Sequence, residues 1–169
     1  MFKTLPPEVE SVIRAFRVCE FSTMAKDGTP VTWPLGAYYQ PEHNRFLLTT
    51  SIGLPQKAFN IRRNPHVSLL FSDPTGSGLE NPPAVLVQGD AIAPDEIVVS
   101  VDGIEDYWRE TIFSRQPVSE MFISNVLMRK LMDQYYMRIL ISVTPTALFW
   151  WPKGDFTQSP LQVEVAHVG

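Results

Sequence analysis

Apolar positions change period several times along the chain, and each change marks an element boundary. In PPEVESVIRAFR, residues 6–17, Val9, Val12, Ile13 and Phe16 recur at i, i+3, i+4 and i+7, which predicts a short amphipathic helix. The leading prolines fall where a first helical turn tolerates them. From Val18 the pattern turns to β: a strand around 18–25, a tight turn at Asp27-Gly28, the aromatic and β-branched run PVTWPLGAYY, a second turn at QPEHN, and RFLLTT. Residues 18–50 therefore read as a three-stranded antiparallel meander.

Residues 54–63, LPQKAFNIRR, place Leu54, Ala58 and Ile61 on one helical face, and Asn64-Pro65 stops that helix. VSLLF at 67–71 predicts a buried strand, and SDPTGSGLENPP at 72–83 a long surface loop. AVLVQGDA at 84–91 predicts another strand, with Gly89 at a bulge or a close backbone approach. Ile104, Trp108 and Ile112, then Leu127, Met128, Leu131 and Met132, predict two helices within 95–133, broken near Pro117. RILISVTPTALFWW at 138–151 returns to strand character around a Thr-Pro kink. Sequential antiparallel strands with helices inserted late predict an α+β barrel or curled sheet, because a parallel sheet needs a crossover helix between most strands.

The 169 residues fit a single domain, 1–169. With 44% hydrophobic and 19% charged residues, the composition is globular, not disordered. A net charge of −4 argues against wrapping nucleic acid. The N-terminal segment lacks an apolar signal core and no run approaches the roughly 18 apolar residues of a membrane span, so a cytoplasmic protein is expected. The lone Cys19 fits a reducing compartment, and its apolar flanks favour packing over nucleophilic chemistry. His43, His66 and His167 lie far apart and form no zinc-binding helix, so no metal site is expected.

Chemistry concentrates between Thr49 and Arg63. Thr49, Thr50 and Ser51 end a strand just before a helix whose N-terminus is electropositive, and Lys57 lies within about a turn. That combination suits an anion. The competing reading has the hydroxyls capping the helix and Lys57 solvated on its first turn. Arg62 and Arg63, at the helix C-terminus, suit stability. Trp150-Trp151 is a second clue, because adjacent strand residues face opposite sides and both are buried only if each face is covered by a partner or ligand.

Residues 27–91 carry DGTPVTWPLGAYY, LLTTS, Lys57 followed by AFNIRRNPHVSLLF, and VLVQGDA, and this order resembles the pyridoxamine 5′-phosphate oxidase-like flavin-binding split-barrel superfamily. The resemblance implies a six-stranded antiparallel split β-barrel with peripheral helices, the late strand at about 138–151, and a homodimer with FMN in an intersubunit cleft. It implies that Thr50, Ser51 and Lys57 hold the FMN phosphate. It sets Thr32, Trp33, Pro34 and Leu35 beside the ring, with Trp150 or Trp151 approaching from the late strand. No side chain is implied as catalytic acid or base. True pyridoxamine-phosphate oxidases carry arginine where this chain has Trp33, a Ser-Arg pair at Pro55-Gln56, a glutamine near Ala84, and a terminal Arg-x-His motif where this chain reads PKGDFTQSPLQVEVAHVG after Trp151. Vitamin B6 oxidation is therefore not expected. The nearest fit is an FMN-dependent oxidoreductase on an unidentified small molecule; the alternatives are a deazaflavin-dependent reductase or a non-enzymatic flavin- or haem-binding protein.

Overall fold

The computed structural model describes residues 5–99, 105–113 and 137–163. Helix α1 (Pro7–Ala15) buries Val9, Val12 and Ile13, as its period requires, and ends where Phe16 turns extended. Strands β1 (Cys19–Met24) and β2 (Pro30–Leu35) form the expected hairpin. Its turn needs a left-handed residue, supplied by Gly28 at φ 85°, and Asp27 Oδ1 accepts the Thr29 N–H. Strand β3 (Tyr38–Gln40) and strand β4 (Arg45–Ser51) follow, then helix α2 (Gln56–Arg63), β5 (His66–Phe71) and β6 (Ala84–Ile92). A short helix α3 (Glu105–Tyr107) continues as a π-helical stretch over Trp108–Phe113. The late strand β7 (Arg138–Trp151) and a short β8 (Leu161–Val163) complete the described residues. The break near Pro117 and the Leu127–Met132 cluster lie outside them. Among the described residues, no helix is long and apolar enough to cross a membrane.

The strands form one antiparallel sheet in the order β2-β1-β5-β6-β7-β4-β3, with β8 paired to β7. This corrects the meander: β1–β2 and β3–β4 are hairpins, but β2 and β3 occupy opposite edges. The correction carries the curvature of the fold. Laid flat, seven strands would separate the two edges by about 29 Å. Leu35 and Tyr38 are joined through only Gly36 and Ala37, a link that reaches about 11 Å at most. The sheet must therefore curl until its edges approach, which makes a barrel with a seam where β2 and β3 do not pair. The expected six strands become eight, because the run PVTWPLGAYY splits at Gly36-Ala37 into β2 and β3, and the three-residue β8 is too short to leave an alternating pattern.

Inward-facing side chains fill the barrel: Phe21, Phe46, Leu48, Leu69, Phe71, Val85, Val87, Ile141, Val143 and Leu148 are all buried. Tyr39, Phe46 and Phe71 pack in series, with centroids 4.8 Å and 6.2 Å apart. Cys19 is fully buried among them, which fits the packing reading. At Gly89 the β6–β7 register shifts, leaving Thr146 as the extra residue beside Pro145. A Cβ at Gly89 would collide with the Thr144 carbonyl oxygen, so the close approach expected there is real.

Candidate functional site

The site residues are arranged by β4, the turn that follows it, and α2. In the turn, the Thr50 hydroxyl donates to Leu54 O at 2.8 Å, and Ser51 Oγ accepts the Gly53 N–H at 3.2 Å. Neither hydroxyl caps α2, whose N-cap position is Pro55 with no side-chain cap. The capping alternative is thereby overturned. The first backbone bond into the helix runs from Phe59 N to Pro55 O, so the N–H groups of Gln56, Lys57 and Ala58 precede any intrahelical partner and concentrate positive potential beside Ser51.

Lys57 is the second correction to the bland reading. It is not solvated: the residue is 6% exposed. Its ammonium donates to Thr50 Oγ1 at 3.4 Å and stands 4.8 Å from the centroid of the Trp33 ring. Because the Thr50 hydrogen is committed to Leu54 O, its lone pairs are free to face the cation. Burial lowers the Lys57 pKa from its ordinary value. No carboxylate among the described residues pairs with it. A desolvated cation without a counter-ion, beside a helix N-terminus, is chemically suited to an anion.

Helix α2 is held so that Lys57 points inward. Asn60, fully buried, donates to Thr23 Oγ1 at 2.9 Å and accepts from Gln56 Nε2 at 2.8 Å and Arg63 Nη2 at 2.5 Å. Arg62 donates to the carbonyls of Ala93 and Pro94 and pairs with Asp95 at 2.6 Å. Both arginines are thus structural, as expected, although Arg62 works by tethering the chain after β6.

The four β2 candidates divide by strand parity. Trp33 lies opposite Phe21 and Leu35 opposite Cys19, toward the barrel interior, whereas Thr32 and Pro34 are exposed on the other face. Thr32 Oγ1 shares a 2.7 Å hydrogen bond with Ser22. Since β2 is an edge strand, its backbone on one side faces the seam. Trp33, Thr50 and Lys57 therefore meet across that seam, with Ser51 next in line. Trp150 and Trp151 do not join them within one chain. They pair with Val85 and Ala84, whereas Ser51 pairs with Arg138, twelve and thirteen residues away along β7, on the order of 40 Å of strand. Trp151 instead packs on Phe156 at 5.1 Å.

The Trp33–Lys57 contact was not anticipated from the sequence; its only trace is an aromatic residue on the inward parity of β2. A second cluster was also missed. On the far side of β4, Thr49 Oγ1 and Tyr107 OH are 2.9 Å apart, Arg138 Nη1 donates to Thr49 at 3.2 Å, and the guanidinium lies 5.4 Å from the Trp108 ring. Strand alternation turns Thr49 away from Thr50. A groove of about 420 Å³ lined by Ser22, His66, Ser68, Gln88 and Thr146 involves none of the expected site residues.

The sequence model of the pyridoxamine 5′-phosphate oxidase family matches residues 5–138. No curated protein sequence matches the chain significantly. Among solved structures, one similar fold is a protein from Clostridium acetobutylicum related to general stress protein 26 of Bacillus subtilis. It is 11% identical, with a TM-score of 0.60 over 94% of this chain and 92% of its own. An F420 reductase is 22% identical, with a TM-score of 0.53 over 85% of this chain and 98% of its own. The heme storage protein HutZ from Vibrio cholerae is 15% identical, with a TM-score of 0.53 over 86% of this chain and 93% of its own. At these identities the structural likeness establishes the fold alone. The match over residues 5–138, which spans β1 to β6 of the barrel that β7 completes, shows that the chain belongs to the pyridoxamine 5′-phosphate oxidase family.

Proposed function

We propose that the protein is an FMN-dependent oxidoreductase acting on a small molecule, and that it works as a homodimer. The observation that carries this reading is Lys57, a buried ammonium at the mouth of a helix with no carboxylate partner among the described residues. A phosphate monoester would supply the missing negative charge, held by Lys57, the Ser51 hydroxyl and the first-turn N–H groups of α2. Thr50 orients Lys57 from behind.

A planar ring extending from that phosphate along the seam would run beside β2. There Trp33 and Leu35 offer apolar surface, and the backbone of Thr32–Leu35 offers edge groups. FMN, when bound, supplies hydride or single-electron transfer, and the protein's part is to hold and orient it. Trp150 and Trp151 belong to the same site only if a second copy brings them, which is the reason for proposing a dimer. Two neighbours in fold are named for F420 and for heme. In this chain, however, Trp33, Leu35, Thr50, Ser51 and Lys57 include no imidazole, thiolate or thioether to ligate a haem iron.

The test is the absorbance spectrum of the purified protein before and after reconstitution, with mass analysis of whatever it releases. A flavin spectrum and the mass of FMN are expected. A porphyrin spectrum, or a deazaflavin mass, would overturn the cofactor assignment.

A further inference from the structure

The reading of Lys57 as a phosphate ligand leaves open how a buried cation stays protonated and aimed while no anion is present. Among the described residues, two groups touch the ammonium: the Thr50 hydroxyl at 3.4 Å and the face of the Trp33 ring at 4.8 Å. Charged groups on the surrounding elements are engaged elsewhere. Glu20 accepts from Ser72, Arg45 binds Gln40, Asp90 pairs with His66, Arg62 with Asp95, Arg63 with Asn60, and Arg138 with Thr49. A single 3.4 Å hydrogen bond is weak recompense for an ammonium's lost water.

We propose that Trp33 is a positioning residue of the phosphate site: its indole face holds the Lys57 ammonium, charged and in place across the seam, until an anionic ligand arrives. This rests on the functional reading above and adds a residue whose side chain that reading uses only as apolar surface. The indole suits the task because the negative face of its π system attracts a cation without neutralising it, so the full charge remains for a phosphate. A carboxylate at the same position would compete with the ligand. The contact joins the edge strand β2 to α2, while Thr50 reaches the same ammonium from β4.

The indole has two opposed effects on the amine, and two substitutions separate them. It excludes water, which disfavours the charge, and it presents a π face, which favours it. Trp33→Leu keeps apolar cover but removes the π face, so the Lys57 pKa falls below wild type. Trp33→Phe keeps a weaker π face and falls between. Heteronuclear NMR on the ligand-free protein with labelled lysine, with Lys57→Met to assign the resonance, reads these values directly. FMN binding is then titrated against pH. Where the bound state needs a protonated Lys57, affinity drops about tenfold for each pH unit above the ligand-free pKa. The falling limb should therefore move to lower pH in Trp33→Leu, less so in Trp33→Phe, with equal FMN affinities well below the limb after correction for riboflavin. If wild type binds FMN and the Lys57 pKa is the same in Trp33→Leu, the role of Trp33 is refuted while the phosphate site stands. If wild type binds neither FMN nor inorganic phosphate at any pH, both readings fall together.

Discussion

Replacing Lys57 by Met removes one charge and little volume from a position that is 6% exposed. Hydrogen bonds to charged groups contribute about 1.5–3 kcal/mol, so loss of the ammonium should weaken FMN binding roughly ten- to a hundredfold. Burial places the expectation in the upper half of that range, because no water stands ready to replace the lost contact. Riboflavin, which lacks the phosphate, should bind both proteins alike.

The ligand-free protein responds in the opposite direction. In the folded chain the Lys57 pKa lies below its ordinary value, because burial disfavours the charge. Between the folded and ordinary values the unfolded chain holds more protons, so stability rises with pH across that window. Below it both states are protonated and the desolvation cost is present in full. Lys57→Met should therefore be more stable than wild type toward urea at neutral pH, and the gap should narrow in alkali. An exposed lysine at the helix start would give no such gain. Isothermal titration with FMN and riboflavin, and urea melts at pH 7 and 10, measure both effects. Unchanged FMN affinity, or an equal loss for riboflavin, would refute the phosphate role.

Trp151→Ala should weaken dimer association by about 2 kcal/mol, the scale of an aromatic anchor and roughly thirtyfold in dissociation constant, as read by sedimentation velocity; a wild type that is monomeric at all concentrations would refute the shared site. Gly89→Ala should lose about 1–3 kcal/mol in urea unfolding, because its Cβ would strike the Thr144 carbonyl; a neutral result would mean that the β6–β7 bulge relaxes freely. Asn60→Ala leaves Thr23, Gln56 and Arg63 without their shared partner and should cost about 2–3 kcal/mol, checked by thermal and urea melts; a smaller loss than about 1 kcal/mol would show that α2 is held by its apolar face alone.

Most strands were legible because period-two alternation is a local signal: β1, β4, β5, β6 and β7 lie within a residue or two of their expected bounds, whereas the run expected over PVTWPLGAYY stops at Leu35 and resumes as β3. The separation of β2 from β3 was not legible, since PVTWPLGAYY reads as one continuous β run and nothing local at Gly36-Ala37 marks strands that end on opposite edges. The orientation of α2 failed for a related reason. Leu54, expected on its buried face with Ala58 and Ile61, precedes the helix and is 69% exposed, while Lys57 and Asn60 are buried. Periodicity assigns a buried face to apolar residues. Here two of the groups that accept the polar side chains, Trp33 and Thr23, come from strands remote in sequence.

These two failures have one physical origin. The short link at Gly36-Ala37 forces the sheet to curl, yet it sends β2 and β3 away from one another instead of letting them pair. Pro30 and Pro34 lack the N–H groups that a further strand would need along β2, which discourages pairing with a stray chain and keeps the seam open. A closed barrel would satisfy its edge groups by itself and have no use for a cation there. An open one leaves backbone polar groups, an indole face and a desolvated ammonium at the same place. No carboxylate among the described residues pairs with that charge, so on the proposed function the split that weakens the barrel is also what suits it to an anionic ligand.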